Sequence, residues 1–223
     1  RDADLHNRLL TIMGVNSLLK DSKNLRDKIL FEPVPSGDKF LAPIIEALRD
    51  EYAIQITHQG FGKAYPSTYL VEPYCLKMFK QRWYMLAYSS GTDDMRVYGL
   101  DRIQAIEPST EKYKIPKDFD AERYFKNTYG VSFADDQPEE VKVKISAYQA
   151  NFLRSLPIHA SQEEIGCNDE FSIFRYFVVP TFEFMQELRK YGSELEVLSP
   201  QSLRDEFIDE AGSLYSKYYR EEE

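Results

Sequence analysis

Between Tyr52 and Ile106 the apolar pattern runs with a period of two, in pieces short enough and interrupted often enough by turn residues to demand a set of tightly connected strands. Tyr52, Ile54, Ile56 and His58 share one face of the first strand, and Gly60 and Gly62 supply the turn after it. A second strand is expected near Tyr69 to Phe79 and a third near Arg82 to Tyr88. Ser89, Ser90, Gly91, Thr92 and Asp93 turn the chain back into Met95 to Tyr98, and Leu100 to Ile106 closes the set. Five short strands with tight turns point to a small barrel, with an open sheet backed by helices as the alternative.

Helical spacing flanks this core. Apolar residues at Leu5, Leu9, Ile12, Met13, Leu18, Leu19, Leu25 and Ile29 fit one or two amphipathic helices interrupted at Gly14 and Asn16, followed by a linker at Pro33, Pro35 and Gly37. Phe40, Leu41, Ile44, Ile45 and Leu48 make the stripe of a further helix from about Lys39 to Glu51. After Pro108 the chain is irregular, with Pro116, Asp118 and Asp120 leading to Gly130. Strands then alternate with helices: Val141 to Ile145, helix Ala147 to Leu156, strand Phe171 to Val179, helix Phe182 to Tyr191, strand Leu195 to Leu198, helix Leu203 to Tyr218. Gly192 reads as a residue just past a helix end, and Ser199 with Pro200 as an N-cap followed by proline. The expected class is α+β: a helical connector over 1–51, a barrel over 52–110, a linker over 111–139, and a C-terminal α/β extension over 140–223, its helices on one face of a sheet.

At 223 residues the chain has room for two domains. Its 16 Tyr and 14 Phe favour packing on pleated surfaces. The net charge of −9 argues against a broad grip on duplex DNA by this segment, since such affinity comes mainly from neutralised phosphates. Locally the balance reverses: Lys77, Lys80, Arg82, Arg96 and Arg102 face only Asp93, Asp94 and Asp101, which leaves room for an anion site. Cys75 and Cys167 lack the CxxC spacing of a zinc site and suit a reducing cytoplasm. No apolar run reaches the roughly 20 residues that span a bilayer, so no membrane partner is expected. The chain opens on Arg1 and is read as a piece of something longer.

The third strand, Arg82-Trp83-Tyr84-Met85-Leu86-Ala87-Tyr88, resembles the signature of the WYL family, named for a Trp-Tyr-Leu run that stands here as Trp83-Tyr84-Met85. Upstream, Pro73-Tyr74-Cys75-Leu76-Lys77 is similar to the family's proline-x-x-leucine strand. Downstream, Tyr98-Gly99-Leu100-Asp101-Arg102-Ile103 is similar to its closing strand. The stretches from Leu156 to Gln162 and from Tyr191 to Arg204 look like the extension that often follows a WYL domain. The resemblance implies an Sm-like or SH3-like barrel that senses nucleotides or single-stranded nucleic acid. It also implies a homodimeric bacterial regulator that reaches promoter DNA through an N-terminal winged helix-turn-helix missing from this chain. The segment Leu5 to Leu30 resembles the dimerising connector. Met85 in place of leucine conserves volume. Where many members carry tyrosine at the end of the first strand and arginine on the second, this chain has His58 and Tyr69.

The candidate ligand-binding residues are Arg96, Arg102, Tyr84, His58, Tyr69, Arg82, Lys77 and Tyr98. Arg102 would serve packing worse than leucine, so an anion or partner contact is favoured, against a salt bridge to Asp101. Arg96 shares a strand face with Tyr98 and suits stacking or phosphate binding, against a plain hairpin arginine. Trp83 and Tyr84 must point to opposite faces; Trp83 is taken as core and Tyr84, beside Arg82, as available for stacking. Lys77 and Arg82 could line a positive rim or simply be solvated, and His58 and His159 could be structural. Neither Gly60-x-Gly62 nor Ser90-Gly91 sits where catalytic loops sit, and His6, His58 and His159 lack metal spacing, so no catalytic residue, metal or cofactor is expected. A protein-interaction and dimerisation module is the alternative to a ligand sensor.

Overall fold

In the computed structural model the described residues are 37–133 and 137–219, with Lys28 and Pro35. The chain divides into two units, 1–35 and 36–223, and both β-sheets belong to the second. The helices expected between Leu5 and Leu30, and their dimerising role, fall outside the described residues.

A 3-10 turn at Asp38–Phe40 leads into α1 (Leu41–Asp50), which tolerates Pro43 because the first turn needs no donor there. Helix α1 buries Ile44 and Ala47 against a five-stranded antiparallel sheet: β1 (Tyr52–His58), β2 (Ser67–Phe79), β3 (Arg82–Ser89), β4 (Asp94–Gly99) and β5 (Ile103–Lys112). The strand order is β4-β3-β2-β1-β5. Ile44, Ile54, Ile56, Val71, Met85, Ala87, Leu100 and Ile103 form the core beneath the helix, with Trp83 packed at its edge. Each fully buried Ile, Leu or Met there contributes about 1.5–3 kcal/mol.

The closed barrel is not formed. β5 runs the length of β1, from Tyr52 opposite Lys112 to His58 opposite Ile103, and has no ladder with β4 among the described residues. The expected closing strand at Leu100 to Ile106 is also split: Leu100–Arg102 is a 3-10 turn, and the strand starts at Ile103. Gly99 explains the turn's tightness, since a Cβ there would lie 2.5 Å from Arg102 Nη2 and 2.6 Å from Asp101 Oδ1. Pro73 is accommodated because the β2–β3 register shifts between Pro73 and Cys75 and β1 has ended its pairing at Val71.

The linker carries α2 (Ala121–Tyr124), capped by the Asp120 carboxylate. Phe119 packs edge-on to Tyr74 at 5.0 Å, and Tyr124 on Phe133 at 4.9 Å. The C-terminal domain follows as β6 (Glu139–Ser146), α3 (Ala147–Ser155), β7 (Glu163–Cys167), β8 (Phe171–Val178), α4 (Phe182–Arg189), β9 (Leu195–Ser199) and α5 (Gln201–Tyr218). Its antiparallel order β7-β8-β6-β9 with this βαββαβ succession is the ferredoxin-like arrangement. Ala150 and Leu153 of α3 and Phe184, Met185 and Leu188 of α4 cover one face of the sheet. The other face carries charges such as Lys142, Arg175 and Glu140 in ion pairs. Strand β7 escaped the sequence reading because four of its five residues are exposed and show no alternation. The cap before α5 shifts by one: Pro200 occupies it and the helix begins at Gln201.

Candidate ligand site on the first sheet

Strand alternation carries His58 to the inner face at the end of β1, where it is 8% exposed. Its ring meets Tyr98 of β4 edge-on, centroids 5.4 Å apart, and Tyr98 in turn leans on Tyr69 of β2 at 5.8 Å. The 3-10 turn presents Asp101 and Arg102 beside them. Asp101 Oδ1 lies 3.8 Å from Arg102 Nε, and Asp101 Oδ2 lies 3.7 Å from Arg82 Nη1 at the start of β3. These ion pairs are too long for hydrogen bonds. Asp101 Oδ1 and Arg102 Nε are therefore buried with this long ion pair in place of a hydrogen bond, and His58 Nε2 beside them is buried with no hydrogen-bond partner. Buried polar groups are ordinarily satisfied, and each one left unpaired costs about 1–3 kcal/mol.

Burial lowers the His58 pKa, the Arg102 charge lowers it further, and Asp101 opposes both. Burial likewise raises the Tyr98 phenol above its ordinary value. The cluster therefore presents a neutral imidazole and a neutral phenol next to a guanidinium.

Arg102 also borders a cavity of about 390 Å³ lined by Gln59, Gly60, Phe61, Gly62, Lys63, Asp101, Ile103 and Gln104. Its guanidinium carbon sits 4.6 Å from the Phe61 ring centroid. The β1–β2 loop that carries Phe61 is tied to the 3-10 turn where Gln59 N donates to Arg102 O at 3.1 Å, and it is tightened on itself where Lys63 N donates to Gly60 O at 3.1 Å. Gly62 takes a φ of 78°, a conformation that favours glycine. Sequence reasoning missed Phe61, Gln59 and Gln104; an aromatic placed between two glycines was the available signal.

The structure thus brings together His58, Tyr69, Tyr98, Arg102 and Arg82, of which Arg102 alone lines the cavity, and places the other candidates elsewhere. Arg96 is exposed on the β3–β4 hairpin, where its Nε donates to Thr92 Oγ1 at 3.0 Å, and it does not line the cavity with Arg102. Tyr84 pairs across the ladders with Lys77 and Gly99, on the face opposite Trp83 and Met85. Lys77 is turned toward the linker: its Nζ donates to Gly130 O at 2.5 Å and lies 4.1 Å from the Phe125 ring centroid. The structural role anticipated for His159 is also seen, with Nε2 at 2.9 Å from Lys126 O and Nδ1 accepting from Ser161 N at 3.1 Å.

Residues 39–108 match the WYL domain and residues 137–215 match the WCX domain. Protein PafB of Mycobacterium tuberculosis and of Mycobacterium bovis is 25% identical over 179 residues, covering 77% of this chain and 52% of each relative, so the chain spans about half the length of the curated relatives it matches. Among solved structures, proteasome accessory factor B/C of Arthrobacter aurescens aligns over 85% of this chain and 29% of its own, at 18% identity and a TM-score of 0.38. A CRISPR Cas-related protein aligns over 79% of this chain and 51% of its own, at 13% identity and a TM-score of 0.48. The chain belongs to the WYL-domain family, with a WCX domain following the WYL domain.

Proposed function

We propose that this chain is the effector-sensing part of a cytoplasmic, homodimeric, DNA-binding transcription regulator, and that its WYL domain binds an anionic, nucleotide-like or single-stranded nucleic-acid ligand. In this reading the sheet is an Sm-like barrel left open between β4 and β5, and the protein is not an enzyme. One observation carries it: Arg102 and Asp101 meet only in a long ion pair, with Arg102 Nε and Asp101 Oδ1 making no hydrogen bond, and both residues line an open cavity walled by Phe61. An anion in the cavity would meet the Arg102 guanidinium through charge-assisted hydrogen bonds. Binding changes DNA occupancy only if the ligand discriminates between two arrangements of the full-length protein.

The test is fluorescence anisotropy with labelled short single-stranded oligonucleotides and cyclic dinucleotides at moderate salt, comparing the wild type with Arg102→Ala. Saturable binding that the substitution weakens by roughly ten-fold or more is the expected result. Binding indifferent to Arg102→Ala contradicts the site.

A further inference from the structure

Helix α5 outruns the domain that holds it. Leu203 is its one buried residue, and Phe207 packs partly against the same core. Farther along, Glu210 accepts from Arg189 Nε of α4 at 2.6 Å. Every residue from Ile208 to Tyr219 is exposed. A helical end of that length standing alone is marginal in water, because most helical stability in proteins comes from packing an apolar face.

The residues of this free end are nonetheless those of a packed helix. Ile208, Leu214, Tyr215, Tyr218 and Tyr219 are each more than half exposed. At 3.6 residues per turn, Ile208, Ala211, Tyr215 and Tyr219 fall within roughly 80° of arc, while Glu206, Asp209 and Lys217 lie on the far side. The Tyr215 and Tyr219 rings stack with centroids 5.2 Å apart, so they present one broad surface. Small residues, Ala211 and Gly212, stand between these rings and Ile208. Gly212 weakens a helix interior, and nothing in the chain calls for it: a Cβ added there would meet no atom within 4 Å. The close passage of a second backbone would account for it.

The stripe is near-palindromic about the Ala211–Gly212 peptide, with Ile208 on one side and Tyr215 at the same distance on the other. We propose that α5 is a self-association helix: two copies of the chain pair their α5 helices antiparallel across a two-fold axis at Ala211 and Gly212. Ile208 of each copy then meets the partner's Tyr215, and Ala211 meets the partner's Gly212. A two-fold interface requires one self-complementary patch, which this arrangement supplies. The exposed apolar residues of α5 offer on the order of 700 Å² per copy, close to the roughly 800 Å² that each partner of a standard interface contributes. This rests on the homodimer proposed above and puts an interface of that dimer in the WCX domain.

The experiment is sedimentation equilibrium of the full chain over a range of concentrations, with Ile208→Asp, Tyr215→Asp, Gly212→Leu and Lys217→Glu. Wild type should dimerise. Each of the first three variants should raise the dimer Kd about ten-fold or more, since an unpaired charge or a bulky side chain enters an apolar seam, and Lys217→Glu should leave it unchanged. The altered side chains are exposed, and circular dichroism melts check that the domain stays folded. Orientation is read by oxidation in a Cys167→Ser background. Ala211→Cys lies beside the axis and should cross-link to its mate. Tyr219→Cys should not, because antiparallel pairing sets the two copies of that position about 20 Å apart along the helices.

A wild-type dimer indifferent to Ile208→Asp and Tyr215→Asp overturns the α5 interface and leaves the homodimer standing, with the apolar stripe then belonging to a different partner. Cross-linking at Tyr219→Cys as readily as at Ala211→Cys overturns the antiparallel arrangement. A chain that stays monomeric at every concentration overturns both the interface and the dimer of this chain on which it rests.

Discussion

Lys80 Nζ lies 2.9 Å from Glu187 Oε2, joining the β2–β3 turn of the WYL domain to α4 of the WCX domain. The turn itself is tight: Lys80 and Gln81 have φ of 45° and 64°, as a two-residue type I′ turn requires, although neither is the Asn or Gly that such turns favour. Contacts between domains hold it there. Phe79 packs edge-on to Tyr129 at 5.2 Å, Tyr129 OH donates to Glu187 Oε2 at 2.7 Å, and Lys190 donates to the other carboxylate oxygen.

Burial pushes the Glu187 carboxyl up, but the hydrogen bonds from Lys190, Lys80 and Tyr129 outweigh it and hold its pKa at about 2. A folded value below the ordinary 4.5 means that the ionised group stabilises the fold, by about 3 kcal/mol when the whole shift is counted. That contribution is fully present above pH 4.5 and is lost as pH falls toward 2. Glu187→Gln should therefore cost about 1–3 kcal/mol in urea unfolding at pH 7, allowing for the exposure of the two lysines, and almost nothing at pH 2. An equal cost at both pH values would show that the loss is not electrostatic.

Two glycines near the site separate fold from function. At Gly37, φ is 78° and a Cβ would lie 2.4 Å from the Leu100 backbone carbon, so Gly37→Ala should lower stability by about 2 kcal/mol or more. Gly99 has an ordinary φ of −71°, and an added Cβ would meet the side-chain ends of Arg102 and Asp101 instead. Gly99→Ala should cost less than about 1 kcal/mol, because those groups can swing away. Its effect should appear as weakened oligonucleotide binding. Thermal melts and anisotropy on both variants check the contrast.

His58 and His159 are both held below the ordinary histidine pKa, in each case first by burial. A lowered folded value means that acid favours the unfolded chain, so stability should decline as pH falls below about 6.5, the unfolded value. Protonated His159 could no longer accept from Ser161 N. At His58 the Arg102 charge is the second cause, and an anion on Arg102 would offset it. Ligand should therefore raise the His58 pKa and bind more tightly as pH falls through that range. Imidazole titrations by NMR with and without an oligonucleotide read both effects; an unchanged His58 value would place the anion elsewhere.

Met85 is fully buried in the core under α1. Met85→Ala should cost about 2–5 kcal/mol, whereas Met85→Leu, which restores the family's usual residue, should cost less than about 1.5 kcal/mol. Urea denaturation with unchanged m-values checks both.

The parts of this fold legible in the sequence are those governed by local periodicity. The alternation from Tyr52 to His58 did place His58 on the inner face, and Trp83 and Tyr84 do point to opposite sides of β3. Strands β6, β8 and β9 and helices α3 to α5 stand out because caps and apolar stripes define them, whereas exposed β7 does not. Less legible were features set by distant contacts. The 3-10 turn at Leu100–Arg102 reads as strand by pattern, and only the close approach of Gly99 to Arg102 shows why it is not. Lys77 reads as part of a positive rim and Lys80 as part of a local basic excess, yet their partners, Gly130 and Glu187, stand 53 and 107 positions away. For the site, Arg102, His58 and Tyr98 were recognisable as types, but the meeting of Arg102 with Phe61 and Gln104 at one cavity depends on the turn and loop geometry.

The most direct measurement is a titration of the isotopically labelled chain with a short single-stranded oligonucleotide, followed through backbone and side-chain NMR shifts. The expected result is that the largest changes fall on His58, Phe61, Tyr98, Asp101, Arg102 and Gln104, with little change at the outer face of the WCX sheet. Saturable shifts confined to residues away from this group, or none at all, would contradict a ligand site on the WYL sheet.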